Sequence, residues 1–150
     1  SLIRRLLATS GAGPATLLDG HPLYDLLLAP TRIYVKSILE LLQVVPVHNI
    51  AHITGGGPTG NIPRVMPAGL EAVIDTRLWP RQAIFDWLQR EGQVALPEMW
   101  RTFNCGIGFV LVVHPEQQEA VSGRLHELGL GHKAIGQVVV HAGGERTVIA

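Results

Sequence analysis

Along this chain the apolar residues switch repeatedly between helical and strand spacing, and that alternation leaves few architectures open. Ile33, Tyr34, Ile38, Leu41 and Leu42 fall at helical spacing, with Thr31 placed to cap the helix. Residues 49–54 read as a buried strand that runs into Gly55-Gly56-Gly57. A short helix is expected over residues 61–65, stopped by Pro67 and Gly69. Leu70, Ala72 and Ile74 alternate with Glu71, Val73 and Asp75, the period of a strand. Ile84, Phe85, Trp87 and Leu88 mark an amphipathic helix, and Pro97 suits the first turn of the next, which carries Met99, Trp100 and Phe103. Residues 107–113 form a short apolar run, read as a central strand. Pro115 opens a helix with Ala120, Val121, Leu125 and Leu128 inward, ended by Gly129. Residues 134–140 read as a strand, Ala142-Gly143-Gly144 as a turn, and residues 146–149 as a last strand pairing back. At the start, residues 1–8 read as a helix capped by Ser1, and residues 10–22 as a loop. The sum is α+β: a mixed β-sheet of about four or five strands covered by helices.

Composition bounds what such a domain does. A chain of 150 residues suits a single domain with a real core. With 47% hydrophobic and 16% charged residues it lies far from the signature of disorder. A mean hydropathy of +0.25 fits either apolar surface hidden against another domain or simply a Leu- and Val-rich core. Lys+Arg and Asp+Glu are both 12, and no basic stripe or polybasic segment points to nucleic acid or a membrane surface. No apolar run approaches the ~20 residues of a membrane span. The one cysteine, Cys105, excludes an intrachain disulfide and fits a reducing, cytoplasmic setting. A start at Ser1, without methionine and inside an apparent helix, leads us to expect a piece of a longer chain.

Three segments hold chemistry. In Thr54-Gly55-Gly56-Gly57-Pro58-Thr59-Gly60-Asn61, glycines let backbone N–H groups approach an anion, and the helix that follows presents its positive end. Arg64, one turn in, is a two-pronged donor for a phosphate. The segment matches neither the P-loop nor the dinucleotide fingerprint, and spacing alone favours a plain flexible loop. Arg32 and Lys36 are four apart, so on a helix they share one face, fit for a phosphate or for solvent. Asn104, in Thr102-Phe103-Asn104-Cys105-Gly106-Ile107-Gly108, is either a helix C-cap or a ligand for a polar substrate edge. Cys105 beside it is read as a small buried hydrophobe. The seven histidines show no metal-ligand spacing, so no metal site is expected. His52, just before the glycines, is the one histidine placed to act on a bound substrate, against the alternative of a ring capping the sheet edge.

Taken together, "LLAPTRIYVKSILELL", "IAHITGGGPTGNIPRVMP", "AVIDTRLWP", "IFDWLQREGQV" and "EMWRTFNCGIGFVLVV" resemble, in this order, the carboxy-terminal half of the aminoimidazole ribonucleotide synthetases (phosphoribosylformylglycinamidine cyclo-ligases). That family is similar in fold to formylglycinamide ribonucleotide amidotransferase and selenophosphate synthetase. The resemblance implies a two-domain, homodimeric enzyme of purine synthesis whose amino-terminal domain binds ATP and Mg2+ and is absent from this chain. It implies ATP-dependent closure of formylglycinamidine ribonucleotide, a phosphorylated small molecule, to aminoimidazole ribonucleotide. It also implies that residues 1–150 are a single substrate-side domain, silent without its partner domain. Thr31, Arg32 and Lys36 match the family's first motif. Gly55, Gly56, Gly57, Asn61 and Arg64 match its cleft-lining glycine segment, with His52 beside it, and Asn104, Gly106 and Gly108 match its last motif. The family usually carries an acidic residue where this chain has Gly60. Two rivals are a substrate-binding domain of a related amidotransferase and a non-catalytic structural domain with flexible glycine loops.

Overall fold

The computed structural model describes residues 2–144 and 147–150; the Ser1 cap and Arg146 lie outside them. The chain opens with α1 (Leu2–Thr9), a two-residue ribbon of β1 (Leu17–Leu18) and β2 (His21–Pro22), and α2 (Leu23–Leu28). Residues 10–22, expected as loop, hold this ribbon, and α2, which the spacing does not predict, is a six-residue helix that buries Leu23 completely. Next come α3 (Val35–Leu42), β3 (Asn49–His52) and α4 (Gly57–Asn61), which runs into a 3-10 turn at Ile62–Val65. β4 (Leu70–Ile74), α5 (Ala83–Gly92), α6 (Leu96–Thr102), β5 (Phe109–Val112), α7 (Gln118–Glu127), β6 (Gly136–Val140) and β7 (Thr147–Ile149) complete the order.

The architecture is α+β, as expected, but its strands form small separate sheets. β3 pairs antiparallel with β5, from Asn49 opposite Val112 to His52 opposite Phe109. β4 sits between β6, antiparallel, and β7, parallel. Two expectations are thereby corrected. β5 has β3 as its one ladder partner among the described residues and is not a central strand. The last strand does not fold back on β6; the turn at Gly143 and Gly144, both in left-handed backbone, carries it across to the far side of β4.

The β3–β5 ladder divides the interior because successive strand residues face opposite sides. Ala51, Val110 and Val112 face the larger core, which gathers Leu23, Ile62, Trp79, Trp87 and Trp100. Ile50, Phe109 and Leu111 face a second core, where α3 and α7 contribute Ile38, Leu41, Val121 and Leu125. Ala120, expected inward on α7, is exposed. Glu71 on β4 is buried and lies 2.6 Å from Nδ1 of His141. A buried carboxyl needs such a partner, since leaving it alone would cost several kcal/mol.

Candidate functional site

Antiparallel pairing decides which motifs meet. His52 ends β3 and Phe109 begins β5, so the loop after His52 and the loop before Phe109 leave the same end of the ladder. Beyond the last ladder pair, the Ile53 N–H still donates to the Gly108 carbonyl at 2.9 Å, which holds the two loops side by side. Tyr34, the residue before α3, reaches the same end. Its ring stacks on Phe109 with centroids 4.9 Å apart and meets His52 edge-on at 5.9 Å. His52 lies on the α3 and α7 side of the ladder with its side chain exposed. The sheet-edge alternative and the substrate-facing one thus share one geometry: an accessible imidazole against two aromatic rings.

The glycine loop differs from expectation in where its helix begins. α4 starts at Gly57 with Pro58 in its first turn, and Asn61 ends it. Proline at that position costs nothing, because the N–H it lacks would have no partner in the helix. Gly56 and Gly57 have φ of 102° and 57°, backbone that glycine adopts without strain. Gly57 has a second reason to be glycine. A Cβ there would overlap the Trp100 carbonyl and stand 2.7 Å from that of Phe103, so α4 packs directly on the end of α6. The Thr59 hydroxyl also donates to the Trp100 carbonyl at 3.2 Å. The Gly57 N–H donates to the Thr54 carbonyl and the Gly60 N–H to that of Gly56, so two donors of the supposed cradle are engaged within the loop. Gly55 is exposed, with no atom within 4 Å of a Cβ position.

Asn61 is buried, and its Nδ2 donates to the Gly57 carbonyl at 2.8 Å, with the Thr54 and Gly55 carbonyls at 3.4 and 3.3 Å. Its amide braces the loop from inside. Arg64, on the 3-10 turn, is exposed and has no ion-pair partner among the described residues. Its guanidinium stays available to an anion, at the foot of a rigid loop.

The second loop is equally fixed. Asn104 Oδ1 accepts from the Gly106 N–H at 3.1 Å, closing a side-chain turn rather than a helix C-cap. Cys105 and Gly106 have φ of 48° and 98°. The Cys105 carbonyl accepts from Trp79 Nε1 at 3.1 Å, and the thiol faces the Met99 carbonyl at 3.6 Å. Burial pushes that thiol up to about 11, in keeping with its reading as a small core residue rather than a nucleophile.

The first motif is the one the fold rearranges. α3 begins at Val35, so Thr31, Arg32 and Ile33 precede the helix, and Thr31 does not cap it. Arg32 and Lys36 therefore do not share a helical face. Ile33, expected on the helix's apolar side, is 85% exposed. Arg32 nonetheless lines a groove of about 1050 Å³ that runs the length of β5 from Gly106 to His114. The groove's ionisable lining is Arg32, Lys133 and three histidines, with no Asp or Glu among the described residues. Arg32 and Lys133 give this largely apolar lining a positive balance. Lys36 is exposed on α3 and is not among the groove residues.

The sequence reading missed Tyr34 and Phe109 as site residues, counting them only as helix and strand apolar positions. The signal that finds them is the register placing Phe109 opposite His52. Among the described residues no group of three or more His, Cys, Asp and Glu is gathered to hold a metal ion. No helix among them is long and apolar enough to cross a membrane. Residues 1–149 match the family model described as AIR synthase related protein, C-terminal domain, and the chain belongs to that family.

Proposed function

We propose that the chain is the carboxy-terminal, substrate-side domain of a phosphoribosylformylglycinamidine cyclo-ligase, which closes formylglycinamidine ribonucleotide to aminoimidazole ribonucleotide at the expense of ATP. The observation that carries the reading is the convergence of three motif segments at one end of the β3–β5 ladder: Tyr34 with its neighbour Arg32, His52 with its glycine loop, and Asn104 to Phe109. Two internally hydrogen-bonded loops, an exposed Arg64 and a groove whose described lining holds no carboxylate are what a phosphorylated substrate needs on one side of a cleft. In this reading an amino-terminal domain holds ATP and Mg2+, the intact protein is a cytoplasmic homodimer, and the metal supplies charge neutralisation for phosphoryl transfer.

The chemistry to be served is transfer of a phosphoryl group to the formyl amide oxygen, attack of the amidine nitrogen on that carbon, and departure of phosphate. This chain's part is to bind, orient and move a proton. Arg64 and Arg32 are donors for the ribose phosphate. The His52 imidazole takes the proton that the amidine nitrogen sheds as the new carbon–nitrogen bond forms. At Gly60, where the family usually carries an acidic residue, this chain has no side chain to make a polar contact. A coupled ATP-hydrolysis and cyclisation assay tests the assignment. The 150-residue chain alone should be silent, and turnover should appear when the upstream half of the gene is present. Turnover by the isolated chain at the rate of an intact synthetase overturns it.

A further inference from the structure

The function argued above gives the Tyr34 side chain no chemical role, yet its ring meets His52 and Phe109 and its hydroxyl lies over Gly108. Its ring is half-buried between α3 and β5, stacked on Phe109 at 30° between planes. The same ring stands at 71° to His52, the edge-to-face arrangement aromatic rings prefer. Phe109 completes the enclosure, 5.8 Å from the His52 ring. The tyrosine hydroxyl lies over Gly108, so close that a Cβ built there would overlap it, with the ring carbon behind it at 3.2 Å. Gly108 is not held in left-handed backbone, and the three atoms nearest a Cβ placed there all belong to Tyr34. Gly108 is therefore a notch, and Tyr34 is the peg that fills it.

We infer that Tyr34 is a positioning residue: seated in the Gly108 notch, it fixes the plane of the exposed His52 imidazole toward the substrate side of the ladder. An exposed imidazole left to itself samples several rotamers, and catalysis by proton transfer falls steeply with misplacement of the base. The stacked Tyr34–Phe109 pair flanks the His52 ring and limits the rotamers open to it. The inference rests on the proton-transfer role of His52, and its own content is geometric.

The test is a compensating pair with two readouts. In the intact two-domain enzyme, Tyr34→Leu should lower kcat about tenfold while KM moves by less than roughly twofold. Tyr34→Phe, which keeps the ring, should hold kcat near the parental value. Gly108→Ala should reproduce the kcat loss by expelling the hydroxyl. Gly108→Ala combined with Tyr34→Phe should restore most of it, because the methyl then occupies the vacated space. In this chain, the His52 ring proton signals, assigned by their loss in His52→Gln, should move in Tyr34→Leu and not in Tyr34→Phe. If Tyr34→Leu fails to fold, the Gly108 pair carries the test alone. His52 signals that stay in place in Tyr34→Leu, or a Gly108→Ala defect that Tyr34→Phe leaves untouched, overturns the inference. Parental kcat in His52→Ala overturns the proton-transfer role instead, and the ring signals still decide whether Tyr34 orients the imidazole.

Discussion

The loop at residues 54–61 is held from within by one asparagine and from below by a helix end, whereas the segment at residues 31–36 is held by one tyrosine. Both were candidates for a phosphate. In the first, Gly57 is in contact with α6, Asn61 donates inward, and the Thr59 hydroxyl bonds to the Trp100 carbonyl. In the second, Thr31, Arg32, Ile33, Val35 and Lys36 are all exposed, and only Tyr34 turns inward. The contrast separates two uses of polar and small residues. A glycine in such a loop can be required by a neighbouring helix and say nothing about a ligand. An arginine on an exposed segment, with no ion pair among the described residues, keeps its capacity for a ligand.

The sharpest way to break this comparison is to add one methyl group at two neighbouring glycines. Gly57→Ala forces a Cβ into the Trp100 carbonyl and should cost about 3 kcal/mol of stability by urea denaturation. Gly55→Ala meets open space and should stay within about 0.5 kcal/mol. Equal effects at both positions would mean that α4 does not seat on α6. Asn61→Ala comes next, at about 2 kcal/mol, because the Gly57 carbonyl loses its buried donor. If the variant instead lost substrate affinity at unchanged stability, Asn61 would be a ligand and not a brace.

Arg64→Ala in the intact enzyme should leave the melting temperature in place and weaken substrate binding by about 1.5 kcal/mol, one charged hydrogen bond. A large drop in melting temperature at unchanged affinity would put Arg64 in a structural role. The smallest effect belongs to Lys36→Ala, exposed on α3 away from the groove, which should change both stability and affinity by less than about 0.5 kcal/mol. A loss matching that of Arg64→Ala would bring the first motif's lysine into the substrate site after all.

Much of the fold was legible in residue spacing, for reasons particular to each element. α5 and α6 stood out because Ile84, Trp87, Leu88, Met99 and Trp100 repeat at helical spacing and are all buried. β4 stood out by alternation, although its polar side proved buried through Glu71 and His141. The starts of α3 and α4 were misplaced. Ile33 mimics a helical apolar position while pointing into solvent, and three glycines before a proline resemble a loop even where the helix has begun. α2 was too short for a period to register. The candidate site was legible as a set of motifs, whereas Tyr34 and Phe109 emerged only as partners of His52.

By itself the sequence determined the α+β class, the principal strands and helices, the three motif segments and the family resemblance, because all of these are written in local spacing and residue type. Only the tertiary structure decided that β7 crosses to pair with β4, that Gly57 serves α6, that Asn61 turns inward, and that Tyr34 meets His52 over Gly108. Apart from Asn61, whose partners lie four to seven residues away, those are contacts between residues far apart in the chain. Their partners are chosen by ladder register and by the volume left between packed elements, and a one-dimensional pattern encodes neither.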